Sequence, residues 1–298
     1  MTDHGTLMRR AAFASLSVAI LLIVLKLAAY LATDSVAMLA SLADSGLDFF
    51  ASVINLIAVR SSLTPPDREH RFGHGKAEPL AGLAQGAFIA GSATFLVIEA
   101  ANRLLDPHDV GHETLGLIVM GVSIAATLGL VAYQRMVVAA TGSLAISADQ
   151  THYASDLATN IGVVISLLLV SQLGWKLADP VIGILIALFL AWSAWSVFRQ
   201  SYDQLMDREL PDEDRAKIKS IVMRHAEVRN LHDLRTRASG LNTFIQFHIE
   251  LDADISLTRA HEISDNVEAE ICAAFPHAEI LIHQDPAGVE NQPALARS

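Results

Sequence analysis

The first 198 residues of this 298-residue chain are divided into long stretches almost free of charge, and that pattern constrains everything else. A bilayer core of about 30 Å needs about 20 apolar residues as helix. Six segments reach that length: 13–32, 35–59, 80–101, 114–133, 146–170 and 180–198. Such a chain folds as a helical bundle, because in hydrocarbon every backbone N–H and C=O must be paired within its own segment. From residue 202 onward, charges mix with alternating apolar positions, as in a water-soluble domain. With 52% hydrophobic and 18% charged residues, the whole is too apolar to be soluble throughout. The first segment is too long for a removed signal peptide and lacks its small-residue cleavage pattern.

Six spans put both termini on one side. Arg9, Arg10, Arg60, Arg68, Arg71, Lys76, Arg135 and Arg199 fall on that side, against Arg103 and Lys176 on the other. Basic loops stay inside, so both termini are expected in the cytoplasm and the protein in the cell (inner) membrane. Lys26, close to the outer end of the first span, is expected to snorkel to the surface. The formal charge of −11 argues against a nucleic-acid partner and is compatible with cation handling. The single cysteine, Cys272, excludes an intramolecular disulfide, fits a reducing compartment, and reads as a small apolar helix residue.

The tail shows a helix over 212–226, strands over 231–238 and 242–251 around a Ser239-Gly240 turn, a Ser256-capped helix to about 274, and a strand over 278–283. This αββαβ order gives a small α+β domain with its helices on one face of an open sheet. The expected division is a six-helix transmembrane domain, 1–203, a cytoplasmic domain, 204–289, and a disordered end, 290–298. A domain of about 80 residues is marginal alone, and dimerisation or bound metal would stabilise it.

Asp44 and Asp48 stand four apart in the second span, hence on one helical face; His152 and Asp156 do so in the fifth. Each ionisable group at membrane depth costs at least about 2.5 kcal/mol, so something must compensate. At 1.5 Å per residue, Asp44 lies about 14 Å and Asp48 about 20 Å below the outer edge. His152 lies about 21 Å and Asp156 about 15 Å below it, so the two pairs meet near the midplane. Three carboxylates and an imidazole suit a tetrahedral divalent ion: Zn²⁺, with Cd²⁺, Fe²⁺ or Co²⁺ possible, ahead of Mg²⁺ or Ca²⁺. The alternative is a polar network that glues helices or relays protons. Asp149, one turn before His152, reads as a helix-start or ion-access residue.

Between spans two and three, Asp67, His70 and His74 could close on one ion, with Gly73 and Gly75 letting the backbone turn; solvated loop histidines are the alternative. In the tail, Ile245, Phe247, Ile249 and Leu251 alternate with His248, which therefore occupies the accessible face. His283 and Asp285 share a face, His232 opens a strand and His261 is near a helix start, so Asp285 is a candidate bridge between two ions; surface histidines are again the alternative. His4, His108, His112, His225 and His277 lack a partner pattern.

These residues resemble the cation diffusion facilitator family, of the bacterial zinc and ferrous-iron efflux type. The resemblance rests on Ala43-Asp44-Ser45 with Asp48, the loop Phe72-Gly73-His74-Gly75-Lys76-Ala77-Glu78, the run from Ala148-Asp149-Gln150-Thr151-His152 to Asp156, and His232, His248, His261 and His283-Gln284-Asp285. It implies a V-shaped homodimer whose transport site is Asp44, Asp48, His152 and Asp156, and a loop site of Asp67, His70 and His74. It implies a ferredoxin-like, metallochaperone-like tail with two ions, one on His232, His248 and Asp285, the other on His261, His283 and Asp285. Lys76 and Asp207 would form a charge interlock holding the protomers together. Residues 135–143 lack the histidine-rich insertion of many eukaryotic zinc members.

The function expected is proton-coupled antiport exporting a divalent metal, Zn²⁺ first, with the tail as regulator. The other readings are a ferrous-iron-selective exporter and a membrane metal sensor or scaffold that transports nothing. An enzyme is not expected: the His-Glu-x-x-His of an intramembrane metalloprotease does not occur in the sequence.

Overall fold

The computed structural model describes residues 3–33, 36–105, 114–173 and 178–288. They fall into two compact units, Met1–Tyr202 and Asp203–Ser298. His108, His112, Lys176 and the expected disordered end at 290–298 lie outside the described residues.

The first unit consists of helices α1 (Asp3–Thr33), α2 (Val36–Ser62), α3 (Ala77–Leu105), α4 (Thr114–Thr141), α5 (Leu144–Leu173) and α6 (Ala178–Leu205). Among the described residues, α1, α2, α3, α4 and α6 each contain a stretch long and apolar enough to cross a membrane. The 30 residues of α5 reach about 45 Å, enough to span as well. Asp149, His152 and Asp156 all lie in its N-terminal half, ahead of the apolar run 161–170. The helices overrun the apolar segments on the side of the N-terminus. α1 starts at Asp3 rather than 13, α4 continues to Thr141 rather than 133, and α6 to Leu205 rather than 198. Hydropathy registers only the part in hydrocarbon, whereas these charged end turns, carrying Arg9, Arg10, Arg135 and Arg199, keep their helical hydrogen bonds beyond it.

α1 packs on α2 and α4, and α5 on α3 and α4. Ile89 and Ala93 of α3, Ala148 of α5, and Leu190, Ala194 and Val197 of α6 form one apolar cluster. Small residues bring these helices close: a Cβ on Gly82 of α3 would stand 2.2 Å from Ser201 Oγ on α6. Glu78, enclosed at the start of α3, accepts hydrogen bonds from Ser143 Oγ (2.5 Å) and Ala145 N (3.2 Å). It thereby ties α3 to the start of α5, just past the turn at Gly142.

The second unit comprises α7 (Asp212–Val222), β1 (Asn230–Ser239), β2 (Asn242–Leu251), α8 (Leu257–Ala274) and β3 (Ala278–Pro286), the αββαβ order read from the sequence. The sheet order is β1-β2-β3, with β2 antiparallel to β1 and parallel to β3. Ser256 Oγ accepts from Arg259 N at 3.2 Å and caps α8. Ile245, Phe247, Ile249 and Leu251 pack against Ile218 and Val222 of α7 and Ile263, Val267 and Ile271 of α8. Both helices thus cover one face, and alternation leaves Gln246, His248 and Glu250 on the other.

β1 contains a bulge. Its register with β2 slips between His232 and Arg235, where two residues face one, and Asp233 sits at φ 51°. Leu231 and Leu234, three apart, both reach the helix-covered core as a result, while His232 pairs with His248.

Phe247, 1% exposed, anchors this core. Phe247→Ala is expected to destabilise the second unit by about 3–5 kcal/mol. Limited proteolysis of the full-length protein across a urea series should show it opening at lower urea while the helical bundle stays resistant.

Candidate metal centres

Within the bundle, α2 contributes Asp48 and α5 contributes His152 and Asp156. His152 Nε2 lies 3.2 Å from Asp48 Oδ1 and 3.7 Å from Asp156 Oδ2, so one imidazole nitrogen faces two carboxylates on neighbouring helices. One ligand atom from each of the three falls within a 4.8 Å cluster. The His152 ring is enclosed by Phe88 and Tyr153, with centroids at 6.4 and 5.6 Å. The expected level match of Asp48 with His152 is what the structure shows. Asp44, one turn earlier on α2, is exposed and outside this three-residue cluster.

In the loop after α2, Asp67 Oδ1 accepts the backbone N–H groups of Glu69 (2.8 Å) and His70 (2.6 Å). Its two oxygens face His70 Nδ1 at 3.4 Å and His74 Nε2 at 3.5 Å, and the imidazole centroids are 4.5 Å apart. Gly73 takes φ 79°, a left-handed turn that a side chain would strain, and brings His74 back over Asp67. The backbone N–H of His70, and then that of Glu69, hold the Asp67 carboxyl below its ordinary range.

In the second unit, His232, His248 and His283 lie in one row across the three strands. Asp285, 5% exposed, stands beside the row. Its Oδ2 is 2.8 Å from His248 Nδ1 and 3.5 Å from His232 Nε2, and its Oδ1 is 3.1 Å from His283 Nε2. A carboxylate with imidazoles on both oxygens is the donor set that two borderline-soft divalent ions would share. His261 does not join it. It is on α8, on the helix-covered side of the sheet, is 71% exposed and faces Asp265 at 3.6 Å. Among the described residues the donor group that comes together within this chain is His232, His248 and Asp285, and His261 is not part of it. Asp207, which the resemblance pairs with Lys76, faces Arg237 at 3.4 Å inside its own unit.

Two family models account for this arrangement: the cation efflux transmembrane domain matches residues 12–206, and the cytoplasmic domain of cation efflux proteins matches 210–287. The chain belongs to the cation efflux family. A cation-efflux pump FieF from Shewanella oneidensis is 48% identical over 277 residues, 93% of each chain. Protein p34 of Rickettsia prowazekii is 42% identical over 288 residues, 97% of this chain and 95% of that one. A solved metal-bound C-terminal domain of the CzcD transporter from Thermotoga maritima is 31% identical, covering 26% of this chain and 93% of that chain, with TM-score 0.25. This efflux protein is thus a multi-pass membrane transporter of cations and not an enzyme.

Two polar features of the efflux protein differ from the sequence reading. Lys26 does not snorkel: it is 8% exposed, and its Nζ donates to Ser45 Oγ at 2.6 Å and to the Ser41 carbonyl at 3.1 Å, both on α2. Side chains on a helix lean toward its N-terminus, which for α1 is the side away from the nearer membrane surface. That lean, rather than closeness to Tyr30 and the outer end, sets the direction of the Lys26 side chain. Asp149 is neither a helix-start residue nor an exposed access point. It is fully buried five residues into α5, accepting Gln134 Nε2 of α4 at 2.6 Å and Gln85 Nε2 of α3 at 3.2 Å. Gln85, inside the third apolar segment, and Gln134, directly after the fourth, are the sequence features that match this buried carboxylate.

The loop geometry has a pH signature. A depressed carboxyl contributes order that is complete above its ordinary value of 3.8 and is lost only as pH falls through the lower folded value. Amide hydrogen exchange at Glu69 and His70 should therefore stay slow down through pH 3.8 and accelerate only in stronger acid. Asp67→Ala should make both amides exchange fast at neutral pH.

Proposed function

We propose that this efflux protein is a proton-coupled antiporter that exports divalent metal, Zn²⁺ first, with Fe²⁺, Cd²⁺ and Co²⁺ as further substrates. It works as a homodimer in the inner membrane with both termini cytoplasmic, as the basic residues on the terminal side favour. The observation that carries this reading is the Asp48–His152–Asp156 cluster inside the bundle. Enclosed carboxylates repel unless a cation joins them, and Asp44, one turn away on the same helix, completes a four-ligand shell when the ion is bound. Metal needs the imidazole neutral, so protons arriving from outside compete for His152 and a neighbouring carboxylate and release the ion outward.

The loop trio Asp67, His70 and His74 offers a capture point on the entrance side. In the tail, His232, His248 and Asp285 hold one regulatory ion. Asp285 and His283 hold a second, which His261 of the partner subunit completes, since this chain's own His261 is on the other side of the sheet. A Lys76–Asp207 interlock near the membrane surface joins the protomers. Tail metal then tightens the dimer and biases the bundle toward turnover.

The test is metal uptake into proteoliposomes under an imposed pH gradient, read by an internal Zn²⁺ reporter and repeated with Fe²⁺ without oxygen. Asp48→Ala and His152→Ala should each abolish gradient-dependent uptake while the protein still elutes as a folded dimer. Uptake retained by Asp48→Ala overturns the site. Asp285→Ala should leave basal uptake in place and remove the acceleration by added metal, which the same reporter follows.

A further inference from the structure

Lys26 is a charged group that the transport scheme does not use. It lies in α1, which packs on α2, α4 and α5. Its hydrogen bonds go to two neutral acceptors on α2, the Ser41 carbonyl and the Ser45 hydroxyl. Ser45, fully buried, stands between Asp44 and Asp48. The ammonium is thus moored to the stretch of α2 that carries both carboxylates, and it lies within electrostatic reach of Asp44 and Asp156. From α5 the charged or titratable groups on this side are His152 and Asp156, and α4 carries no ionisable side chain before Tyr133.

A buried lysine is expensive unless something nearby compensates it, and burial here places a fixed positive charge where a cation must bind and leave. Its mooring has a geometric consequence. Serine and a carbonyl hold the ammonium beside the site, so none of the carboxylate oxygens there is spent on it. With neutral imidazole and three ionised carboxylates, a divalent ion and this ammonium together bring the site to zero net charge.

Resting on the reading of Asp44, Asp48, His152 and Asp156 as the transport site, we propose that Lys26 is a resident counter-charge that weakens the hold of that site on divalent metal so that the ion can be released. Without it the loaded site keeps one excess negative charge, and the ion is bound more tightly and leaves more slowly. Lys26 is in this sense an affinity-setting residue that touches α2 and acts on the ion through space.

The experiment measures Zn²⁺ uptake against Zn²⁺ concentration, at one fixed pH gradient, for wild type, Lys26→Gln, Lys26→Met and Ser45→Ala in proteoliposomes. Lys26→Gln keeps a hydrogen-bond donor and loses the charge; Ser45→Ala does the reverse. Both neutral variants should lower KM about tenfold or more and lower kcat in step, since a missing unit charge at this range is worth at least that factor in a partly buried site. Ser45→Ala should stay within about twofold of wild type, because the ammonium and its field remain. An unchanged or raised KM in a folded Lys26→Gln or Lys26→Met overturns the proposal, as would a lowered KM in Ser45→Ala, which would assign the effect to the hydrogen bond. Asp156→Asn in the same series separates the two readings: if it transports like wild type, the site assignment fails; if it is inactive while the Lys26 variants match wild type, only the counter-charge fails.

Discussion

Charge enclosed in an apolar bundle is the constraint on which the rest of this molecule depends. Asp48, His152 and Asp156 have little water to solvate them, so each leans on the others, and the helices that carry them, α2 and α5, must stand at a fixed relative height. Other buried polar groups hold that height. Asp149 takes hydrogen bonds from α3 and α4, and Glu78 fastens the start of α3 to the start of α5. α5 is in this way braced along the side chains of its neighbours at two levels below the site. Small residues such as Gly82 let α6 come close enough to seal that side.

The second unit solves a different problem, that of arranging metal donors on a surface bathed in water. A three-stranded sheet with both helices on one face has its core and its chemistry on opposite sides of a single layer. Gln284 joins the two sides, because its amide reaches the Ala260 carbonyl and Ser264 Oγ of α8 while its neighbours His283 and Asp285 face the histidine row. One residue of β3 thus links the strand carrying His283 and Asp285 to α8.

Much of this was legible in the sequence, for identifiable reasons. Hydrocarbon tolerates so few polar groups that the six helices stand out, and two carboxylate-bearing spans of opposite direction could be levelled by counting residues. Strand alternation placed His248 away from the core. What escaped has causes as definite. Helix ends were set short because hydropathy ends where the bilayer does. For Lys26, nearness to the outer surface and the lean of side chains toward a helix's N-terminus point opposite ways, and the lean prevails.

The bulge between His232 and Arg235 gives β1 two parities. On one side of it odd positions such as Leu231 belong to the core, and on the other side even ones such as Leu234 do. The strand is in effect spliced from two half-strands out of phase, and the single additional residue at the splice is what lets Leu231 and Leu234, an odd number of positions apart, share the core face. Closing the bulge with all its residues kept would slip one half of the strand by one position against β2 and turn its side chains to the other face, whereas shortening the strand by the one additional residue would fuse the halves into a single alternation with Leu231 and Leu234 still facing the core.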